Sequence, residues 1–546
     1  IIVWVVRQKQ NDSADYFLGG RDATWLAIGA SIFASNIGSE HLIGLAGAGA
    51  SSGMAMAHWE IQGWMILILG WVFVPFYTRS MVYTMPEFLE RRYNPQSRTI
   101  LSVISLVSYV LTKVAVTVYA GGLVFQQVFG IKELWGIDFF WIAAIGLVVL
   151  TALYTIFGGM KSVLYTSVLQ TPILLLGSLI ILVLGFKELG GWDEMMRVCG
   201  AVTVNDYGDT MTNLIRSNDD ANFPWLGALI GSAIIGFWYW CTDQFIVQRV
   251  LSGKNEMEAR RGTIFGAYLK LLPVFLFLIP GMIAFALHQK YIGAGGEGFL
   301  PMLANGTANA DAAFPTLVAK LLPAGVKGLV VCGILAALMS SLASLFNSSA
   351  MLFTIDFYKR FRPETPEKKL VGIGQIATVV IVILGILWIP IMRSVGDVLY
   401  TYLQDVQSVL APGIAAAFLL GICWKRTSAQ GGMWGLIAGM VIGLTRLGAK
   451  VYYSNAGEVA DSTFKYLFYD MNWLFFCGWM FLFCIIVVIV VSLATKAPTA
   501  EKIQGLVFGT ATKEQKAATR ASWNHWDIIH TVIILAITGA FYWYFW

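Results

Sequence analysis

The fold can be inferred outward from one segment, Ala34-Ser35-Asn36-Ile37-Gly38-Ser39-Glu40-His41. It lies inside an apolar segment, from about residue 25 to residue 50, that is long enough to cross a lipid bilayer. Serine, asparagine and glycine in its middle favour local hydrogen bonds or a freer backbone over continued helix. Lipid cannot satisfy the amide and carbonyl groups that a broken helix exposes, so such a break occurs only where protein encloses a cavity. We therefore predict that this stretch forms the floor of a site for a solute and an ion.

The composition indicates a membrane protein. Of the 546 residues, 57% are hydrophobic and 13% are charged, and apolar runs of about twenty residues recur from one end to the other. The formal net charge of +5 is spread over the loops, so nucleic-acid binding is not expected. The chain is therefore predicted to be an all-α polytopic membrane protein that forms a single transmembrane domain over residues 1–546. Its expected partners are the lipid bilayer and a small-molecule solute.

We predict about fourteen transmembrane spans, the first of them a partial helix at the start of the chain. The spans are placed at 1–6, 23–51, 54–78, 99–130, 136–158, 160–187, 223–251, 262–288, 325–356, 370–393, 397–423, 429–450, 471–495 and 527–546. One set of loops holds roughly twenty-two Lys and Arg residues, and the opposite set holds roughly ten. The positive-inside rule places the richer set in the cytoplasm and Trp546 outside. The membrane is expected to be the plasma (inner) membrane.

A second interrupted span follows five spans after the first. Residues 223–251 carry Gly227, Gly231 and Gly236 just before the sequence FWYWCTDQ at 237–244. Interruptions at matching places in two halves are typical of transporters built from inverted repeats, with the binding site between the repeats. The alternative is that these glycines only allow membrane helices to pack closely.

Ionisable and polar side chains inside membrane spans are costly, and most of them are functional. A sugar presents hydroxyl groups and an apolar ring face, so its pocket needs hydrogen-bond acceptors, donors and an aromatic platform. The polar candidates are Asn36, His41, Glu60, Lys270 and Gln404. The aromatic candidates are Trp59, Tyr239, Trp240 and Tyr400. The alternative for each is a structural hydrogen bond between helices or a position at the membrane interface, and we interpret Lys113 and Arg249 in this way.

The sequence ALMSSLAS at residues 337–344 places Ser340 and Ser341 side by side in an apolar span. Sodium is a hard cation that binds about five or six oxygen atoms, and carbonyls freed by an unwound membrane helix coordinate it. Two neighbouring hydroxyls that face such carbonyls would complete a sodium site without adding formal charge. The alternative is that these hydroxyls bond to the backbone one turn earlier. HExxH and Walker A motifs are absent and no GxSxG motif follows a strand, so an enzyme is not predicted.

Six segments, taken in order along nearly the whole chain, resemble a known family. They are DYFLGGR at 15–21, SNIGSEH at 35–41, TMPEF at 84–88, LYTIFGG at 153–159, WYWCTDQ at 238–244 and SSLASLFNS at 340–348. These segments resemble the sodium:solute symporter family, and within it the branch of sodium–glucose cotransporters, in a bacterial-type form. The motifs and their order are specific for the family and less specific for the sugar.

The resemblance implies a LeuT-like core of two inverted five-helix repeats with flanking helices at both ends. The repeats would cover residues 23–188 and 223–423, with a partial first helix and cytoplasmic linker at 1–22 and peripheral helices at 429–546. The function implied is secondary active symport, in which inward movement of Na⁺ drives uptake of a neutral monosaccharide of the glucose or galactose type by alternating access. No organic cofactor is implied. The alternatives are a Na⁺-coupled symporter for another polar solute, such as myo-inositol, and a sugar sensor that does not concentrate its ligand.

The resemblance also implies the residues of two sites. One sodium ion would be held by the carbonyls of Ala34, Ile37 and Ala337 and the hydroxyls of Ser340 and Ser341. The sugar would be bound by Asn36, His41, Glu60, Lys270 and Gln404, with Tyr239 as the inner gate stacked on the pyranose ring and Trp240 beside it. The outer apolar gate would consist of Leu45, Trp59 and Tyr400.

Two positions depart from the pattern of the family. Ser167 stands where many sugar-transporting members carry an aspartate that is tied to a second cation site or to coupling. A second sodium ion therefore does not follow from the resemblance. Gly236 stands where relatives usually have an asparagine or threonine that touches the sugar. One sugar contact is therefore expected to be missing or made by water.

Overall fold

The computed structural model describes residues 12–38, 40–303, 306–392, 399–455 and 460–546. The partial helix predicted at 1–6 lies outside the described residues. In the part of the chain that is described, ten helices are long and apolar enough to cross a membrane. They are Glu40–Ser80, Phe139–Leu189, Trp225–Thr242, Glu256–Gly293, Ala324–Phe361, Glu367–Leu387, Leu403–Cys423, Ala429–Tyr453, Trp473–Ala494 and His525–Tyr544. Two shorter apolar helices are Trp25–Asn36 and Ala115–Phe129.

These helices confirm the all-α membrane architecture, while the number of about fourteen spans stays a prediction. Some of the long helices contain internal turns. Within Phe139–Leu189, Gly159 has a φ of 53° and a ψ of −153°, so the chain turns between two helices. This turn lies between the predicted spans 136–158 and 160–187. A Cβ at Gly159 would lie 2.5 Å from the carbonyl oxygen of Tyr16, so glycine is needed both for the backbone conformation and for the close approach.

Shorter elements lie between the membrane helices or prolong them. The α-helices outside the apolar set are Ser13–Leu18, Met85–Arg92, Pro95–Ser108, Trp192–Gly200, Gln244–Leu251, Ala313–Leu321, Thr463–Lys465 and Lys513–Ala521 in the described part of the chain. A short antiparallel hairpin pairs strand Glu133–Leu134 with strand Ile137–Asp138, with Glu133 opposite Asp138. Turns of π-helix occupy Glu40–Leu45, Leu69–Phe73, Tyr109–Val114, Phe237–Thr242, Val274–Leu278, Leu352–Tyr358 and Tyr466–Asp470. Such turns often occur at functional sites.

The first broken helix has the interruption that its sequence predicts. Helix Trp25–Asn36 ends, Ile37 is extended with a φ of −80° and a ψ of 96°, and a π-helical turn resumes at Glu40. The carbonyl oxygen of Gly38 accepts a hydrogen bond from the backbone N–H of His41, at 3.2 Å, which ties the break to the segment that follows.

The second interruption falls at Asp243, a few residues beyond the three glycines that mark this span in the sequence. The π-helical turn Phe237–Thr242 ends there, Asp243 is extended with a φ of −76° and a ψ of 128°, and helix Gln244–Leu251 begins. The Asp243 carboxylate accepts a hydrogen bond from the backbone N–H of Phe245, which caps the new helix. The break therefore depends on a capping carboxylate rather than on glycine.

The two broken segments meet inside the helical bundle. The helix Leu399–Cys423 contacts both π-helical turns, Glu40–Leu45 and Phe237–Thr242. The helix Ala324–Met351, which carries the serine pair, packs against Trp25–Asn36. The packing therefore brings the predicted sodium segment and the predicted solute segment together.

Lys270 is brought towards the same region by a close helix contact. The helix Glu256–Lys270 packs along Trp25–Asn36. A Cβ at Gly262 would lie 2.6 Å from Cγ2 of Ile28, so the two backbones approach more closely than a larger residue would allow.

Candidate functional site

A cavity lies where the two broken segments meet. Its volume open to the centres of water molecules is about 40 Å³. Residues predicted for the solute pocket contribute to its lining; they are Asn36, His41, Trp59, Glu60, Tyr239, Trp240, Lys270 and Gln404. The remaining lining residues are Glu40, Gln62, Ile235, Gly236, Leu403 and Gln407. The structure thus brings together those predicted polar and aromatic candidates whose side chains it describes.

Glu60 is the charged centre of this cavity. Lys270 Nζ donates to Glu60 Oε2 at 2.6 Å, and His41 Nε2 lies 3.2 Å from the same oxygen. All three side chains are buried. A buried charge is costly unless it is paired and hydrogen-bonded, so the carboxylate and the ammonium each depend on the other.

The imidazole of His41 links this charged centre to the broken helix. Its Nε2 lies 3.3 Å from Asn36 Nδ2 as well as close to Glu60. A neutral imidazole nitrogen either donates through N–H or accepts through its lone pair, so it cannot serve both partners at once. Nε2 therefore donates to Glu60 in one tautomer and accepts from Asn36 in the other. Because Asn36 is the last residue before the break, the choice of partner connects the cavity with the ion segment.

Some polar side chains of the cavity bury an atom that has no hydrogen-bond partner within the described part of the chain. Gln404 Oε1 and Trp59 Nε1 are buried, and neither has a hydrogen-bond partner among the described residues. Trp59 stacks on Trp473, with ring centres 5.5 Å apart and planes 20° apart, which holds the indole in place. An unsatisfied buried donor or acceptor costs about 1–3 kcal/mol. A solute with hydroxyl groups would satisfy both atoms, because each hydroxyl donates and accepts.

Tyr239 and Trp240 form an aromatic wall of the cavity. Their ring centres are 4.9 Å apart and their planes meet at 84°. Lys113 Nζ lies 4.7 Å from the ring centre of Tyr239 and 2.5 Å from Asp243 Oδ2. Tyr109 donates its hydroxyl hydrogen to the other oxygen of Asp243. Lys113 is thus one half of a buried ion pair beside Tyr239, in agreement with its interpretation as a structural residue.

The serine pair lies against the first break. Ser341 Oγ donates to the backbone carbonyl of Ser35 at 2.8 Å. A Cβ at Gly38 would lie 2.7 Å from Ser341 Oγ, so the absence of a side chain there leaves the hydroxyl open to the break. Ser340 Oγ lies 3.2 Å from Ser167 Oγ, the hydroxyl that stands in the place of the expected aspartate.

The predicted carbonyl ligands occupy the same neighbourhood. Ala34 and Ile37 are buried on either side of the end of the first helix, and Ala337 is buried one turn before Ser341 in the serine helix. Carbonyls and hydroxyls without a carboxylate are a ligand set that a hard monovalent cation takes at unwound membrane helices. Within the described residues, no group of three or more His, Cys, Asp or Glu side chains could hold a metal ion.

Gln62 explains the glycine at position 236. Gln62 Nε2 donates to the carbonyl of Ser232 at 2.7 Å. A Cβ at Gly236 would lie 2.4 Å from Gln62 Oε1. The carboxamide of Gln62 therefore fills the space beside Gly236, where the sequence predicts a missing contact or a water molecule.

Residues 16–439 match the family described as the sodium:solute symporter family. The chain belongs to this family. It is a Na⁺-coupled solute symporter and a multi-pass membrane protein, and its relatives are cotransporters rather than enzymes. The resemblance drawn from its motifs is therefore confirmed.

The symporter is similar in sequence to two curated cotransporters and in fold to a solved structure. It is 36% identical over 518 residues to the sodium/myo-inositol cotransporter 2 of Homo sapiens, covering 92% of this chain and 76% of that protein. It is 39% identical over 499 residues to the sodium/glucose cotransporter 1 of Ovis aries, covering 88% of this chain and 74% of that protein. The substrate-bound outward-open structure of a Na⁺-coupled sialic acid symporter matches with a TM-score of 0.71 and 22% identity, over 91% of this chain and 95% of that chain. The symporter and that protein share a fold.

The residues predicted for the outer gate are only partly placed at the cavity. Trp59 lines it, whereas Leu45 is buried but is not part of the lining. The side chain of Tyr400 lies outside the described residues. The outer gate of the symporter therefore stays a prediction, as does the role of Tyr239 as the inner gate.

Three polar lining residues were not assigned to the pocket from the sequence. Gln407 follows Gln404 by three residues on the same helix, and this spacing places both on one helix face. Gln62 lies in a turn between two helices, where helical periodicity gives no signal. Glu40 is recognisable as an ionisable residue inside an apolar segment, although its sequence position alone does not assign it to the solute.

Proposed function

We propose that this symporter couples the inward movement of Na⁺ to the uptake of a neutral monosaccharide of the glucose or galactose type. The observation that carries the proposal concerns two buried atoms, Gln404 Oε1 and Trp59 Nε1, which have no hydrogen-bond partner among the residues that the structure describes. They lie in the cavity that also holds the Glu60–Lys270 pair. Carboxylates accept hydrogen bonds from sugar hydroxyls, ammonium groups donate to them, and amides do both. A polyhydroxylated ring uses all these groups, whereas an apolar solute would leave them unsatisfied.

The charges around the cavity favour a neutral solute. Glu40 and Glu60 are both in the lining, and Lys270 is already paired with Glu60. A solute carboxylate would add a further negative charge to this arrangement, and like charges in a buried site repel strongly. The rings of Tyr239 and Trp240 offer apolar surface for the C–H face of a pyranose.

A second candidate solute is myo-inositol. It is supported by the 36% identity to a relative named as a sodium/myo-inositol cotransporter. A cyclitol has a hydroxyl on every ring carbon and no ring oxygen, so it needs hydrogen-bonding groups all around its ring. Gln62 and Gln407 extend the polar lining beyond the predicted residues and supply such groups.

Coupling is supported by the segment that the two proposed sites share. Asn36 contacts His41 in the cavity, while the neighbouring Ser35 accepts a hydrogen bond from Ser341 through its carbonyl. Na⁺ at the break fixes this segment and thereby positions Asn36 for the solute. The proposed sodium ligands are the carbonyls of Ala34, Ile37 and Ala337 and the hydroxyls of Ser340 and Ser341. Such coupling is reciprocal, so the solute also strengthens Na⁺ binding, typically by about 1–3 kcal/mol.

Transport requires the walls of the cavity to move. In alternating access, one part of the fold moves against the other and opens the central site to one side of the membrane at a time. Rotation of Tyr239 opens the site towards the cytoplasm in this scheme, and movement of Trp59 opens it towards the outside. The orientation rests on the excess of Lys and Arg in one set of loops, which places Trp546 outside.

The test is counterflow into proteoliposomes that contain the purified symporter. Labelled glucose, galactose, myo-inositol and an acidic sugar are offered with Na⁺, K⁺ or H⁺. Uptake of glucose or galactose is expected with Na⁺ only. Uptake restricted to myo-inositol would establish the second candidate, and uptake of the acidic sugar or uptake without Na⁺ would contradict the proposal.

A matched pair of glutamine variants tests the site itself. Gln404→Ala is expected to lower solute affinity roughly tenfold or more, because an amide contact to a buried ligand is lost. Gln375→Ala is the control, since Gln375 donates to the carbonyl of Ile156 and is not part of the cavity lining. Equal affinity of the Gln404 variant and the wild type would place the solute elsewhere.

A further inference from the structure

A groove at the outer surface of the helical bundle has the chemistry of a phospholipid site. Its volume is about 550 Å³, which is in the range of small-molecule sites. It is formed by the start of the first broken helix, the helix Glu256–Lys270 and the start of the helix His525–Tyr544. The residues that carry the inference are Trp25, Arg261, Tyr268, Trp526, Asp527 and His530.

The groove lies at the level where membrane helices begin. Trp25 is the first residue of its helix, and Trp526 lies in the first turn of the last helix. Their side chains are 41% and 58% exposed, respectively. Exposed tryptophans at the ends of spans are typical of the interface between lipid and water. Further along the last helix, Ile529 and Val532 are also exposed, which indicates that this side of the helix faces lipid.

Arg261 supplies a group for a phosphate. Its Nε donates to Asp527 Oδ1 at 3.1 Å, and its side chain is 33% exposed. The two terminal nitrogens make no hydrogen bond to the described residues, so their N–H groups are available. A guanidinium fork binds phosphate oxygens in pairs. Tyr268 and His530, whose Oη and Nδ1 atoms are 3.0 Å apart, add further polar groups to the same lining.

Carboxylates at the groove distinguish between headgroups. Asp527 lies in the lining, and Glu258 accepts a hydrogen bond at 2.6 Å from the backbone N–H of Trp25, which is itself a lining residue. A headgroup that carries only a phosphate would bring negative charge towards these carboxylates. Phosphatidylethanolamine carries both a phosphate for Arg261 and an ammonium with three N–H donors for the carboxylates, whereas a choline headgroup has no N–H donor.

We propose that this groove binds a phosphatidylethanolamine molecule of the surrounding bilayer. The phosphate contacts Arg261, the ammonium contacts Asp527, and the acyl chains follow the apolar side formed by Ile264 and Phe265. A lipid in this place contacts the last helix and the helix that ends at Lys270, so it links the last helix to an element that contributes Lys270 to the solute cavity.

The test is lipid binding by the purified, delipidated symporter, measured by native mass spectrometry. Dioleoyl phosphatidylethanolamine, phosphatidylglycerol and phosphatidylcholine are added at equal concentrations, and glycerophosphoethanolamine supplies the headgroup without acyl chains. Phosphatidylethanolamine is expected to bind most tightly. Arg261→Gln should weaken its binding roughly tenfold, the usual effect of losing a charged hydrogen bond. Lys359→Gln is the control, because it removes one cation from an exposed ion pair with Glu367 and should leave binding unchanged.

A second variant covers the case in which Arg261→Gln does not fold. Trp526→Ala removes an exposed ring and leaves the ion pair between Arg261 and Asp527 in place, so folding should be retained while lipid binding weakens. The inference is overturned if Trp526→Ala binds phosphatidylethanolamine as the wild type does. It is also overturned if phosphatidylglycerol binds more tightly, or if the headgroup without chains binds equally well.

Discussion

Replacing Glu60 with glutamine should separate the stability of the solute cavity from its binding function. Glu60 Oε2 accepts a hydrogen bond from Lys270 at 2.6 Å and lies 3.2 Å from His41, and all three side chains are buried. Glutamine keeps the shape of the side chain but leaves Lys270 as a buried ammonium without its counter-charge. Removing one partner of a buried ion pair costs about 3–5 kcal/mol. Glu60→Gln is therefore expected to lower the free energy of unfolding by about that amount.

The double variant Glu60→Gln with Lys270→Met removes both charges. Neutral replacement of a complete buried ion pair is often close to neutral for stability, so most of the lost stability should return. Solute binding should not return, because the charged groups that contact hydroxyls are gone. A hydrogen bond to a charged group contributes about 1.5–3 kcal/mol, which is roughly 10-fold to 150-fold in affinity. Both variants should therefore bind solute at least about tenfold more weakly than the wild type.

Thermal unfolding in detergent and equilibrium binding of labelled solute in saturating Na⁺ measure the two effects separately. Asp356→Asn is the control, because buried Asp356 accepts a hydrogen bond at 2.7 Å from Nε of the partly buried Arg98, and neither residue lines the cavity. It should lower stability without changing solute affinity. Wild-type affinity in Glu60→Gln, or recovered binding in the double variant, would refute the assignment of Glu60 and Lys270 to the solute.

Three further expectations concern the ion segment, the glycine beside the cavity and an extramembrane loop. Ser341→Ala should raise the Na⁺ concentration needed for half-maximal uptake more than it weakens solute binding in saturating Na⁺. If a proteoliposome assay shows the larger effect on solute binding, Ser341 is not part of the ion site. Gly236→Ala places a Cβ 2.4 Å from Gln62 Oε1 and should therefore weaken solute binding. The further substitution Gln62→Ala should restore part of the affinity. Unchanged binding in Gly236→Ala would contradict this expectation. Burial raises the pKa of Asp220, but hydrogen bonds to its carboxylate, led by the one from the Phe223 backbone, bring the pKa below its usual value. A carboxyl with a lowered folded-state pKa adds stability above the unfolded pKa of about 3.9 and loses it as the pH falls through the folded pKa. Thermal stability should therefore fall more steeply in the wild type than in Asp220→Asn from about pH 5 downwards, and parallel curves would be the contrary result.

The interrupted helix was predictable because its cause is local. Asn36 and Gly38 disfavour continued helix whatever lies around them, and the structure has the chain extended at Ile37. The second interruption was predicted only approximately. Its glycines mark the right span, but the break falls at Asp243, whose carboxylate caps the next helix. Capping of this kind is also local, so the aspartate in WCTDQF could have marked the start of the next helix. The prediction relied on the glycines instead.

The lining of the cavity shows which residues could not be assigned to the site from the sequence. Gln407 shares a helix face with Gln404, so helical spacing could have assigned it to the cavity. Gln62 lies in a turn, where helical spacing does not apply. The space beside Gly236 is filled by Gln62 from another segment, so no property of residue 236 itself reveals what replaces the missing side chain. Contacts of this kind depend on the relative placement of two helices.

The order of amino acids was enough to show that this chain is a bundle of membrane helices, with a break near residue 37 and costly polar side chains inside its spans. Hydrophobic length and the preferences of asparagine, serine and glycine act within a few residues, so they can be read along the chain. The three-dimensional packing was needed to show that Glu60, Lys270 and Gln404 face one cavity. It was also needed to show that Ser341 contacts the carbonyl of Ser35. These groups are far apart in sequence, and their meeting depends on close helix packing that no single segment specifies.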